Sequence, residues 1–323
     1  MKLSAAAVFI LSCGLTLAAA GCGKSGSASC RSATPPTPIP APEVVLTPEE
    51  KAVWAPLPPD RSAVPVLLYH GIGEPSDFSN AADADYGIDA YDFAKQMTMI
   101  KHAGYQTIDL QTFVDFVRGR PVTLPPRPLL LTFDDGRTDS WTGSESILKK
   151  LNFTAVMFVD VGRVSACDPE YLTWDELRTI DEAGRWTMQL HAGPNGHQYI
   201  RYGPGADETG PYYAYKKPGE DFSQWQDRVR SDIEAGQKEL AEHIPGYAPL
   251  AFALPFGAYG QEGTNDERIP SDLLGWLSGR YEAVFTQDVN ALAHPGSSQP
   301  LGRIQVTRAT TGGQLHYLLQ TGK

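Results

Sequence analysis

Basic residues are in deficit. The 323-residue chain carries 27 Lys and Arg against 38 Asp and Glu, a formal charge of −11. It has no Lys/Arg cluster, which speaks against a nucleic-acid partner. An acidic surface suits instead a polymer that carries or acquires amino groups. No apolar run beyond the first twenty residues is long enough for a membrane-spanning helix. No Gly-rich loop is available to cradle phosphates, which argues against an Asp pair holding Mg²⁺ for phosphoryl transfer. No internal repeat is visible. Cysteine is scarce, with four in the chain. Cys13 and Cys22 belong to the N-terminal leader, so Cys30 and Cys167 remain, either as a disulfide formed in an oxidising compartment or as two free thiols. What is present, 41% hydrophobic and 20% charged residues, describes a soluble globular protein. Its length suits one domain of barrel size or two small ones.

Residues 1–21 read as a signal peptide, with Lys2 as the positive end, Ala5 to Ala20 as the apolar stretch and Ala19-Ala20-Gly21-Cys22 as the small-residue end. That end resembles a bacterial lipobox, in which Cys22 would be acylated and become the new N-terminus. Two acyl chains suffice for a stable anchor. Ala18-Ala19-Ala20 also suits ordinary signal peptidase, so secretion without lipid is the alternative. Residues 22–60, Gly/Ser-rich and then Pro-rich, read as a tether. The expectation is a domain over 61–323 held outside the cytoplasm, lipid-anchored at the membrane and monomeric.

From Val64 onward, strand and helix patterns alternate. Strands are predicted at Val64–His70, Leu129–Phe133, Phe153–Asp160, Trp186–His191, Pro249–Pro255, Tyr281–Thr286 and Leu301–Val306. The helical patterns between them include 89–103, with Phe93, Met97 and Ile100 on one face, and 223–243, with Trp225, Val229, Ile233 and Leu240 on one side. Thr173-Trp-Asp-Glu176 is a capping box opening another. Such alternation predicts an α/β fold with a parallel sheet, closed or nearly closed. Its chemistry then belongs at the C-terminal strand ends, where His70, Asp134, Asp135, His191 and Pro255 fall.

The chain is organised around Leu129-Leu-Leu-Thr-Phe-Asp-Asp-Gly136. An unbroken apolar strand of this kind is buried on both faces. Side chains of adjacent strand residues point to opposite faces, so Asp134 and Asp135 reach one site only if the backbone breaks there, and Gly136 permits the break. Two such carboxylates can divide labour between holding a metal and taking a proton from water. His191 and His197 share the loop His-Ala-Gly-Pro-Asn-Gly-His. Two histidines and one carboxylate make a three-ligand metal site with a position left open.

Leu-Thr-Phe-Asp-Asp-Gly, the His pair, Leu254-Pro-Phe-Gly257 and Leu67-Leu-Tyr-His-Gly71 together resemble the polysaccharide deacetylases of carbohydrate esterase family 4. The order resembles the poly-β-1,6-N-acetylglucosamine deacetylase branch, because Leu68-Tyr69-His70 precedes the Asp pair. The resemblance covers about residues 62–308 and implies a distorted (β/α) barrel of about seven parallel strands. It implies Asp134 as general base, His70 as general acid, and Asp135, His191 and His197 as ligands of one divalent metal. Zinc is the first expectation; iron, cobalt and nickel tolerate the same ligands. It further implies that the backbone amide of Phe256, after Pro255, donates to the oxyanion. Arg303 also matches that branch, with pairing to a carboxylate as its only suggested role. The sequence departs from the family pattern at two points. Ala192 follows His191 and five residues separate the histidines, which makes His197 the least secure ligand. Ala253 stands where many members have an Arg.

Residues 198–222 form a long stretch with Tyr199, Tyr202, Tyr212, Tyr213 and Tyr215. Tyr199 and Tyr202, with Pro255 and Phe256, are candidates for a substrate wall, since aromatic faces suit sugar rings; the alternative is a loop packing on its own tyrosines. The expected activity is removal of N-acetyl groups from an acetylated amino-sugar polymer. Two rivals remain at this stage, a catalytically silent carbohydrate-binding protein on the same barrel and an O-acetyl esterase of xylan type.

Overall fold

Strands buried on both faces need two apolar layers, and the structure, a computed structural model, supplies both. It describes residues 36–74, 81–165 and 167–323; the expected signal peptide, Cys22 and Cys30 lie outside these. In chain order the strands are β1 (Val64–Tyr69), β2 (Gln106–Thr107), β3 (Pro128–Phe133), β4 (Ala155–Asp160), β5 (Trp186–Ala192), β6 (Tyr199–Arg201), β7 (Thr209–Pro211), β8 (Ala251–Ala253), β9 (Ala283–Phe285), β10 (Leu292–Ala293) and β11 (Ile304–Gln305). The helices are α1 (Pro48–Val53), α2 (Ala81–Tyr86), α3 (Ala90–His102), α4 (Leu110–Val117), α5 (Thr138–Leu151), α6 (Trp174–Glu182), α7 (Phe222–His243), α8 (Ile269–Ser278) and α9 (Gly312–Thr321).

The path β1-β3-β4-β5-β8-β9 is parallel at every step. A parallel bridge from Phe285 to Leu301, followed by parallel pairing of β11 with β1 at Leu67 and Ile304, brings the sheet back towards its first strand. The result is a distorted (β/α) barrel of seven mostly parallel strands, as the family resemblance implies and in keeping with the nearly closed parallel sheet that the alternation predicts; β10 departs from it, pairing antiparallel with the start of β1. Strand alternation sorts the side chains. Val66, Leu130, Val156, Phe158, Ala253 and Phe285 point inward to one core, capped by Phe113 and Val117 of α4. Leu67, Leu131, Met157, Leu190 and Phe252 point outward to a second core beneath the other helices. His70 and Asp134 continue the inward register of β1 and β3, and His191 that of β5, so they meet at the barrel mouth.

Two expectations are revised and one open alternative is decided. Residues 46–54 belong to the folded unit rather than to the tether: Leu46 and Trp54 are buried in the outer core, and the Trp54 ring meets His316 of α9 edge-on at 4.8 Å. The 198–222 stretch is not structureless, because β6 and β7 pair antiparallel there and Tyr212 and Tyr213 are buried. Cys167 is disulfide-bonded rather than a free thiol.

Gly143 ties α5 to the loop after β1: a Cβ there would lie 2.2 Å from the carbonyl oxygen of Ile72. One turn earlier, Ser140 Oγ donates to the His70 carbonyl at 2.8 Å. Gly143→Ala is therefore expected to destabilise the protein by about 1–3 kcal/mol, the usual cost of overpacking. Denaturant unfolding measures it, and an unchanged midpoint would show that the helix shifts freely.

Candidate metal and catalytic site

The break after β3 begins one residue earlier than the sequence suggests. Asp135 itself is left-handed, with φ 78°, and Gly136 follows at 74°. A non-glycine residue there carries strain that its surroundings must hold. They do so from both sides: Asp134 N–H donates to the Tyr69 carbonyl at 3.0 Å, Asp160 N–H to that of Asp135 at 3.3 Å, and Leu172 N–H to that of Gly136 at 3.0 Å. The turn delivers both carboxylates to one place.

Asp135, His191 and His197 bring their ligand atoms within 4.8 Å of one another. The Nε2 atoms of both histidines lie 3.5 Å from Asp135 Oδ1. That oxygen is buried and has no hydrogen-bond partner, although buried polar atoms nearly always find one. His191 Nδ1 lies 2.8 Å from the Ala253 carbonyl, to which it donates, so Nε2 presents a lone pair towards Asp135. A convergent carboxylate oxygen and imidazole nitrogens fit a divalent cation. Burial would raise the Asp135 pKa, but His197, His70, His191 and Arg137 outweigh it and hold the carboxyl down at about 2. Burial dominates at His191 and lowers its pKa, favouring the neutral imidazole that a metal requires.

Asp134 has a different environment. It is fully buried, and Arg303 grips it with two bonds of 2.7 Å, Nη1 to Oδ1 and Nη2 to Oδ2. Burial raises its pKa, yet Arg303 and His191 more than offset that, so the carboxyl stays below its ordinary range. Arg303 reaches it through the barrel interior, between the rings of Phe158 and Phe285. Asp134 Oδ2 is 3.9 Å from His191 Nε2, beside the ligand cluster.

His70 sits beside this pair. Its Nδ1 is buried without a partner, and its ring lies 5.1 Å from that of Tyr86. Burial lowers its pKa, against the opposing pull of Asp135 and Asp134. On the other flank, Phe256 is left-handed at φ 59°. Thr286 Oγ1 holds this turn by donating to the Gly257 carbonyl at 2.8 Å. Phe256 is the middle residue of the short 3-10 turn Pro255–Gly257. Its ring stacks on His197 at 4.5 Å, and Tyr199 meets it edge-on at 4.9 Å. Tyr202 stacks on Tyr215 at 4.4 Å, so that expected wall residue packs within its own loop. Pro255 is buried.

Asp160 belongs to the site although its sequence context does not reveal it. Its Oδ2 lies 3.7 Å from His197 Nδ1, and burial together with Asp135 raises its pKa to about 8. A cavity of about 640 Å³ between α1, α3 and the start of α9 contains none of these residues. The cluster occupies an open mouth instead, with Tyr199 and Phe256 exposed at its rim.

Residues 122–268 match the family model described as polysaccharide deacetylase. Among solved structures, a de-N-acetylase from Aggregatibacter actinomycetemcomitans superposes with a TM-score of 0.66 at 19% identity, covering 79% of this chain and 99% of that one. IcaB from Ammonifex degensii gives 0.60 at 22% identity, with 80% and 98% covered. The BpsB deacetylase domain from Bordetella bronchiseptica gives 0.59 at 21%, with 78% and 98% covered. No curated protein matches the chain.

Replacing Arg303 by Met would leave the Asp134 carboxylate buried and unpaired. A depressed carboxyl pKa adds stability that is complete above the ordinary carboxylate range and lost as pH falls through the depressed value. Arg303→Met should forfeit it and cost about 3–5 kcal/mol. Urea unfolding at neutral pH reads the loss; unchanged stability would mean that the pair contributes no net energy.

Proposed function

We propose that this polysaccharide deacetylase removes N-acetyl groups from N-acetylglucosamine-type residues of an extracytoplasmic polysaccharide, using one divalent metal held by Asp135, His191 and His197. The observation that carries the reading is the buried, unpartnered Asp135 Oδ1 facing two imidazole nitrogens, next to a second carboxylate kept ionised by Arg303. Zinc suits this donor set best; iron, cobalt and nickel tolerate it. The apolar stretch before Cys22 supports delivery across the membrane and attachment there by lipid.

When bound, such a cation polarises the acetamide carbonyl and makes water nucleophilic near neutral pH. The protein's own groups do the rest. Asp134 accepts the proton that the water loses as its oxygen attacks the carbonyl carbon. The oxygen that gains charge receives the Phe256 N–H. His70 protonates the sugar nitrogen as the C–N bond breaks, and acetate and a free amine leave. Burial favours the neutral form of His70, so its imidazolium is a stronger acid than that of a free histidine.

Acetate released from an N-acetylglucosamine oligomer tests the reading. Release should stop on chelation and return with zinc. Asp135→Ala, His191→Ala and His197→Ala should each lose metal and activity together, while Asp134→Asn keeps metal and loses about 10²–10⁴-fold in turnover. Oligomer binding without acetate release by a protein that holds no metal in any preparation would establish the silent carbohydrate-binding alternative instead.

The role of His70 is tested through the leaving group. An amine departs only when protonated, whereas an activated aryl oxide needs little help. His70→Ala should therefore lose amide hydrolysis by about 10²–10⁴-fold and lose far less on an aryl acetate. Equal losses on both substrates would leave His70 a positioning residue.

A further inference from the structure

His191 is fixed by its strand and by the Ala253 carbonyl, but His197 lies beyond five loop residues. What holds that loop is a buried polar unit on α7 and the segment after β7. Asp232, 5% exposed, accepts from Asn195 N–H at 2.8 Å and from Asn195 Nδ2 at 3.0 Å, both at Oδ1. Its Oδ2 accepts from the Tyr213 hydroxyl at 2.7 Å. That hydroxyl oxygen in turn accepts from Gly193 N–H at 3.0 Å.

The loop is pressed onto this unit as closely as a backbone allows. A Cβ on Gly193 would lie 1.9 Å from the Asp232 carbonyl oxygen, and one on Gly196 would lie 1.9 Å from the Tyr213 hydroxyl. Tyr212, the neighbour of Tyr213, closes the far end of the excursion that starts at His197: its N–H donates to the Gln198 carbonyl at 2.9 Å, and β6 pairs with β7 between them. The loop length that departs from the family pattern thus comes with its own anchor.

We propose that Asp232 and Tyr213 form a clamp, outside the ligand set, that positions His197 and thereby sets the affinity of the metal centre. This rests on the reading of Asp135, His191 and His197 as ligands. The clamp touches neither metal nor substrate; both residues are positioning residues. Partners that orient a ligand without binding metal are worth about 10–100-fold in affinity, and removing one hydroxyl from a buried chain of hydrogen bonds strands the donor and acceptor on either side of it.

The test uses the full chain and zinc, with dissociation constants from competition against a chromophoric chelator. Tyr213→Phe keeps the buried ring and should weaken zinc binding at least tenfold; Asp232→Asn should do likewise, and the double variant should be no weaker than the worse single one. In a His197→Ala background, Tyr213→Phe should cause no further loss, since its route to the metal is gone. The unfolding temperature of the metal-free proteins is read in parallel, so that Tyr213→Phe still decides the matter if Asp232→Asn fails to fold. Affinities within twofold of the parent, or an equal loss in the His197→Ala background, would overturn the clamp. A parent protein that binds no zinc would instead overturn the ligand reading on which it stands.

Discussion

The buried pair of Arg303 and Asp134 is the constraint on which the site depends. Asp134 lies at the end of β3 and Arg303 in the segment that brings the sheet back to β1, so the bond spans the barrel interior. Two fully buried charges are costly unless each is matched in geometry, and here the guanidinium fork meets both carboxylate oxygens. The pair joins fold to chemistry: closure of the barrel keeps the carboxylate anionic in an apolar interior, and the carboxylate gives the closing segment its register. The family's usual Arg position is Ala253 here, whose carbonyl serves a different end by orienting His191.

Strain is concentrated at the same mouth. Among the described residues, three non-glycine positions have positive φ, and two of them are Asp135 and Phe256; the third, Asn152, ends α5 in an ordinary left-handed cap. Each strained residue costs on the order of 1–3 kcal/mol and persists only where neighbours over-determine it. Asp135 is locked by backbone bonds from β1, β4 and the segment before α6. Phe256 is locked by Thr286 and by the His197 ring. One conformation turns a carboxylate towards the histidines, and the other sets the Phe256 ring against that of His197.

The barrel strands and the residues at their ends were legible because both follow local rules: buried runs bounded by turns, and polar side chains appended where the runs stop. The order of helices and strands follows with boundaries shifted by one to three residues, as from Leu301–Val306 to Ile304–Gln305. What stayed hidden is non-local. Asp160 reads as one more strand-end acid until a bulge beside Val159 brings it to His197. Asp232 looks like a solvated residue on an amphipathic helix, and only the fold places Asn195 and Tyr213 over it. Leu46 and Trp54 follow a Pro-rich run that composition assigns to a tether; the ring that Trp54 meets, His316, lies in α9 at the far end of the chain.

Burial falls from the inside of the site to its rim, and that gradient follows the chemistry assigned to each group. Asp134 and Arg303 are buried, so the carboxylate stays paired with the guanidinium beneath the mouth. His191 is buried while Asp135 and His197 are partly open, leaving access on the side away from the ion pair. Tyr199 and Phe256 are the exposed edge. A pocket that enclosed its substrate would need walls on every side, and a chain with sugars continuing in both directions could not enter it. On the proposed reading, an exposed aromatic edge beside the half-open Asp135 and His197 would let one residue of a long chain descend while its neighbours lie across the rim. The same openness leaves His197 as the ligand least protected by packing, stacked on one ring and otherwise dependent on its loop. The polar anchor on α7 supplies the rigidity there that burial supplies everywhere else in the site.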